Sequence, residues 1–109
     1  MSKFMILYRA PADMLEQMAN ATPEQREEGM QAWQAWATKV DYAIVDLGAP
    51  LAHTTHVGSG AASTDSVAGY SIIQAGSADE VDTILVGHPH LSMPGNSIEV
   101  LEVVPIADV

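Results

Sequence analysis

Three segments of this 109-residue chain set large apolar side chains at consecutive positions: Phe4-Met5-Ile6-Leu7-Tyr8, Ile44-Val45 and Ile72-Ile73. A β-strand sends successive side chains to opposite faces, so each of these segments is apolar on both sides. An antiparallel sheet with one wet face would alternate apolar and polar residues instead. Whatever fold the chain adopts must therefore cover both faces of its sheet.

The elements available for that cover can be read from start and stop signals. Residues 3–9 form the first strand, which Pro11 ends. Asp13 and Glu16 make a capping pair for a short helix over 14–19. A longer helix opens at Thr22-Pro23-Glu24-Gln25: Thr22 caps, Pro23 suits the first helical position, and Gln25 completes a capping box. Met30, Trp33, Ala37 and Val40 follow at helical spacing, which predicts an amphipathic helix of about four to five turns. Residues 43–47 form a second strand, closed by Gly48-Ala49-Pro50, and 53–57 a short extended piece. The stretch 58–66 holds only Gly, Ser, Ala and Thr apart from Asp65, with nothing large to bury, and is expected to be a mobile loop. Residues 69–75 form a third strand. Ser77 and Glu80 open another capped helix, in which Val81, Ile84, Leu85 and His88 recur at i, i+3, i+4 and i+7. Gly87 and Pro89 stop it, and 97–105 supplies the last strand.

Strand, helix, strand, strand, helix, strand is the βαββαβ order of a ferredoxin-like α+β domain, an antiparallel sheet with helices on one face. Its length fits a single domain over 1–109. The two helices shield one face of the sheet and leave the other. A second copy of the chain, sheet against sheet, is the simplest cover, so a homodimer is expected.

Composition narrows the partners. Fourteen Asp and Glu stand against four Lys and Arg. Binding to nucleic acid requires clustered cations that displace counterions from phosphates, and this chain has none to cluster; an anionic membrane surface repels it for the same reason. No apolar run approaches the ~20 residues of a membrane span, and the N-terminus lacks a secretory pattern. With no cysteine there is neither a disulfide framework nor a thiol nucleophile. A cytoplasmic protein with a small-molecule ligand is the remaining expectation.

Several stretches resemble the YCII-related family: Phe4-Met5-Ile6-Leu7-Tyr8, the helix with Ala35-Trp36, Val45-Asp46-Leu47-Gly48-Ala49-Pro50-Leu51, Gly69-Tyr70-Ser71-Ile72, and His88-Pro89-His90-Leu91 followed by Gly95-Asn96-Ser97-Ile98-Glu99-Val100. They run in the family's order over nearly the whole chain. The resemblance implies the dimeric α+β barrel version of the ferredoxin-like fold. The family is mostly of unknown function, and a His/Asp-centred active site on the open face of the sheet has been proposed for part of it. Two features depart from its patterns. The Asp-Gly-Pro-Phe signature of one branch is replaced by Thr64-Asp65-Ser66-Val67. The early helical histidine of another is absent from Pro23-Glu24-Gln25-Arg26. The family's proposed catalytic histidine therefore has no counterpart here.

Acid–base chemistry falls instead to His88 and His90, which proline holds on an extended or turn segment after a helix. The structural alternative is that His88 caps the helix and His90 bonds within the turn. Asp46 interrupts an apolar strand on the face of Ile44 and is the expected carboxylate partner of one of them, across a pocket on the open sheet face; a structural bond to a loop amide is its other reading. Tyr8 and Arg9 end the first strand as candidate substrate-binding residues, with Arg9 otherwise pairing with Asp46 or Glu99. His53 and His56, three apart on an extended chain, point to opposite faces, so no metal and no cofactor are expected. Proton transfer such as isomerisation, elimination or hydration suits these residues. The alternatives are a non-catalytic module that binds a metabolite or protein, and, less favoured, a metal-dependent protein.

Overall fold

The computed structural model describes residues 1–60 and 66–108. Four strands, β1 (Ser2–Ala10), β2 (Ile44–Pro50), β3 (Ser66–Ala75) and β4 (Ser97–Glu102), form one antiparallel sheet in the order β2-β3-β1-β4. Helices α1 (Ala12–Ala19) and α2 (Pro23–Lys39) follow β1, α3 (Ala78–Leu85) follows β3, and the helices pack on one face of the sheet. This is the ferredoxin-like α+β arrangement. It is thin, with extents of 44 × 42 × 19 Å, as two layers should be.

Alternation in β1 and β3 decides which face is which. Phe4, Ile6, Tyr8 and Ala10 are buried toward the helices, together with Ser71, Ile73 and Ala75 of β3. Met5, Leu7, Tyr70 and Ile72 take the opposite face and remain half-buried, and Leu101, paired with Met5, is exposed there. The apolar character of both faces is thus real, and the chain's own helices cover only one of them.

The helices start and stop for local reasons. Thr22 and Gln25 form the reciprocal capping box at the start of α2, Thr22 Oγ1 accepting from Gln25 N–H at 3.2 Å and Gln25 Oε1 from Thr22 N–H at 2.9 Å. Ser77 Oγ accepts from Glu80 N–H at α3, but the Glu80 carboxylate reaches back to Gly76 N–H rather than to Ser77. Gly87, at φ 73°, takes the left-handed turn after α3. No side-chain cap from Asp13 exists: α1 begins earlier, after Pro11, and Asp13 lies inside its first turn.

The stripe of α2 is rotated from the expected one. Trp36 and Val40 are buried and Trp33 and Ala37 pack beside them, whereas Met30 is 63% exposed. Trp36 reaches deepest because its indole N–H donates to Ile84 O at 3.0 Å, tying α2 to the end of α3. The segment 53–57 is not a strand, and of the expected loop 58–66, residues 61–65 lie outside the described residues.

Candidate functional site

The His-Pro-His segment is where the structure concentrates its unusual chemistry. After α3, a short 3-10 helix (Pro89–Ser92) turns the chain back toward β4. His88 precedes it, and its Nδ1 accepts from the His90 backbone N–H at 3.0 Å, so the residue caps this turn rather than the C-terminus of α3. Accepting at Nδ1 puts the proton of the neutral ring on Nε2. That nitrogen is buried with no polar partner. Three aromatic rings surround it instead, with centroids 4.6 Å (Trp33), 4.3 Å (Trp36) and 4.9 Å (Tyr8) from that of His88. Burial in this cage, with a smaller contribution from the neighbouring His90, lowers the His88 pKa to about 4. His88 is neutral at physiological pH.

His90 is held from four directions. Its Nε2 lies 2.9 Å from Arg9 O and 3.1 Å from Ser97 O, at the end of the β1–β4 ladder; carbonyls only accept, so Nε2 carries the proton and Nδ1 the lone pair. Its backbone N–H is tied to His88, and its carbonyl accepts from Asn96 Nδ2 at 3.1 Å. Among the described residues no hydrogen bond engages Nδ1.

Tyr8 lies beside both imidazoles, its ring centroid 5.3 Å from that of His90 and 4.8 Å from that of Trp33. Ser71 Oγ donates its only proton to Leu47 O at 2.6 Å, so the Tyr8 hydroxyl is the donor in its 2.8 Å bond to Ser71. Burial pushes the Tyr8 pKa up to about 12, against the opposing effect of the Ser71 bond.

Tyr8, Trp33 and His90 line a cavity of about 760 Å³, inside the range usual for small-molecule sites, whereas His88 lies behind it. Its walls come from α2 (Gln25, Glu28, Trp33), from the β2–β3 end of the sheet (Gly48, Gly69) and from the turn bearing His90, with Tyr8 among the lining residues. Tyr8 and Gly69 belong to the helix-facing side of their strands, so the cavity opens between sheet and helices. This corrects the expectation of a pocket on the open face. Apolar residues occupy both faces, and that pattern does not say which one the helices leave hollow.

Asp46 is not part of this site. The β2–β3 register shifts between Ile44 and Asp46: Ile44 stands opposite Ile73 and packs on the helix-side core, while Asp46 stands opposite Ile72 on the other face. A bulge of this kind reverses the side on which the following residues project. The carboxylate instead closes its own turn, accepting from Gly48 N–H at 2.8 Å and weakly from the Tyr70 hydroxyl at 3.4 Å. The sheet separates it from both imidazoles, and among the described residues Asp46 makes no pair with a histidine. Arg9 pairs with Glu99 at 3.0 Å on the surface and is outside the cavity walls. Its backbone carbonyl is what serves His90.

Sequence reasoning missed Trp33, Gln25 and Asn96 as cavity residues. Trp33 was read as core, and in part it is; Asn96 carries no local signal, because its role depends on the His90 carbonyl across the turn. Among the described residues no cluster of three or more His, Cys, Asp or Glu side chains has the geometry for a metal ion, and no helix is long and apolar enough to cross a membrane.

No protein-family model and no curated protein matches the chain. Among solved structures it is similar to the 5-chloro-2-hydroxyhydroquinone dehydrochlorinase TftG of Burkholderia phenoliruptrix AC1100, in complex with 2,5-dihydroxybenzoquinone. The TM-score is 0.51 and the identity 21%, over 89% of this chain and 90% of that one. The likeness is one of fold. It agrees with the ferredoxin-like α+β arrangement, and at this identity it assigns neither a family nor an activity.

Proposed function

We propose that the chain is a small-molecule enzyme that moves a proton with His90, its substrate lying in the cavity between α2 and the sheet. The observation that carries this reading is the anchoring of the His90 ring: Nε2–H is fixed by two backbone carbonyls, which leaves Nδ1 as the acceptor on a residue of the cavity wall. When Nδ1 takes a proton, the imidazolium that forms is already stabilised by the Arg9 and Ser97 carbonyl oxygens, with no reorganisation needed. His88 acts through its bond to the His90 backbone and stays neutral. Tyr8, with its proton retained, contacts the bound molecule. Isomerisation, elimination and hydration all begin with such a transfer. The fold neighbour, a dehydrochlorinase in complex with a six-membered quinonoid ring, supports a ring-sized substrate.

The working form in this reading is a cytoplasmic homodimer. Met5, Leu7, Ile72 and Leu101 make the uncovered sheet face apolar, and a second copy meets it with the same surface. A non-catalytic binding module would use the same cavity, and one comparison separates the two. Substituted hydroquinones and hydroxyquinones are incubated with the protein and with His90→Gln, and followed by absorbance. Turnover by the wild type that falls at least a hundredfold in His90→Gln, with ligand binding retained, supports the enzyme. Binding without turnover in the wild type would establish the module.

A further inference from the structure

The hydrogen-bonding polarity of the cavity says what kind of molecule it admits. A protein site normally offers both donors and acceptors, but here the donors around Tyr8 and His90 are largely used within the protein. The Tyr8 hydroxyl donates to Ser71, His90 Nε2–H to the Arg9 and Ser97 carbonyls, the Ser92 hydroxyl to Pro89 O at 2.6 Å, and Asn96 Nδ2 to His90 O. Apart from the second Nδ2 proton of Asn96, what these groups retain is lone pairs. His90 Nδ1 and the remaining lone pair of Tyr8 Oη are acceptors, and Asn96 Oδ1 is buried in the same wall with no partner at all. The donors left over on these side chains are neutral: the Trp33 indole N–H, the second Asn96 Nδ2 proton and amides such as that of Gln25, whose Oε1 is occupied by Thr22 N–H.

Charge points the same way. No Lys or Arg is among the described residues lining the cavity, and Glu28 is the one formally charged side chain there. The start of α2 is no substitute as an anion site, since Gln25 N–H is taken up by the Thr22 hydroxyl. A carboxylate or phosphate entering this space would lose its hydration, meet unshared lone pairs and face a like charge. A hydroxyl group on a ring meets acceptors instead, and the ring itself meets Trp33, Tyr8 and Met93.

Resting on the cavity reading above, we infer that the site selects a neutral ring bearing hydroxyl donors and excludes anionic analogues of the same size.

The test uses the isotope-labelled 109-residue chain and four small probes: hydroquinone under anaerobic conditions, 1,4-dimethoxybenzene, benzoate and benzylamine. Amide and indole shifts at Trp33, Gly69 and His90 report on the cavity. Hydroquinone is expected to bind at least tenfold more tightly than the dimethyl ether, which keeps the ring and the oxygens but has no proton to give. Benzoate is expected to bind at least tenfold more weakly than hydroquinone, and Glu28→Lys to narrow that gap. Benzoate or the ether binding as tightly as hydroquinone would overturn the polarity argument and leave the cavity reading standing. Tighter binding of benzylamine than of hydroquinone would overturn the requirement for a neutral ligand. Absence of any shift at the three reporters with all four probes would overturn the cavity reading and this inference with it.

Discussion

Acid should unfold this protein through His88. The unfolded chain's imidazole takes up a proton near 6.5, whereas the folded one, caged by Trp33, Trp36 and Tyr8, does so only near about 4. Between those values the unfolded state binds the proton and the folded state does not, so stability falls as pH falls. Above 6.5 neither state is charged at this residue and nothing is lost; below about 4 the loss is complete. Each pH unit in the window is worth about 1.4 kcal/mol, which makes the full effect up to about 3 kcal/mol. For a domain of this size that is a large part of the total stability. The control is His88→Asn, whose side-chain oxygen can stand where Nδ1 stands, accept from His90 N–H and still cap the turn, but does not titrate. Urea unfolding is measured at half-unit steps from pH 7 to pH 4.5 for both proteins. The wild type should lose stability more steeply than the variant by about 1 kcal/mol per unit below pH 6. Parallel profiles would refute the claim that the aromatic cage holds His88 neutral.

Three further outcomes follow from the packing. Trp36→Phe removes the indole donor and leaves the Ile84 carbonyl buried without a partner, which should cost about 1–3 kcal/mol in chemical denaturation. Gly48→Ala should cost more than the ~1–2 kcal/mol of a left-handed alanine alone, because a Cβ there would lie 1.7 Å from Tyr70 O across the β2–β3 ladder; a melting temperature equal to the wild type's would contradict it. Leu7→Glu, on the uncovered face, should convert a dimer to a monomer in sedimentation equilibrium without unfolding it, and a wild type that is already monomeric at high micromolar concentration would remove the assembly argument.

Much of the fold was legible because its signals are local. The Thr22–Gln25 box, the Val81–Ile84–Leu85 stripe and the two-faced β1 each depend on residues a few positions apart and stand in the structure as their spacing implies, whereas α3 ends at Leu85 and leaves His88 to cap the turn beyond it. The candidate site was legible only in part. His88-Pro89-His90 stood out as a turn with two imidazoles, but that His90 is anchored by carbonyls of β1 and β4 is a tertiary fact with no trace in the segment. Asp46 misled for a definite reason. Strict alternation puts it on the face of Ile44, and a bulge, which depends on how β2 meets β3, puts it on the other. Pro11 likewise displaced Asp13 as the start of α1, since its extended backbone geometry sets the helix entry without any side-chain cap.

The ring nitrogens of His90 provide the most direct measurement. Imidazole ¹⁵N shifts of the neutral ring, with and without saturating hydroquinone, should show Nε2 protonated and Nδ1 bearing the lone pair in the free protein, and the ligand should move Nδ1 while leaving Nε2 nearly unchanged. A proton on Nδ1 in the free protein, or an Nδ1 indifferent to a ligand that demonstrably binds, would contradict the assignment of His90 as the base of this site.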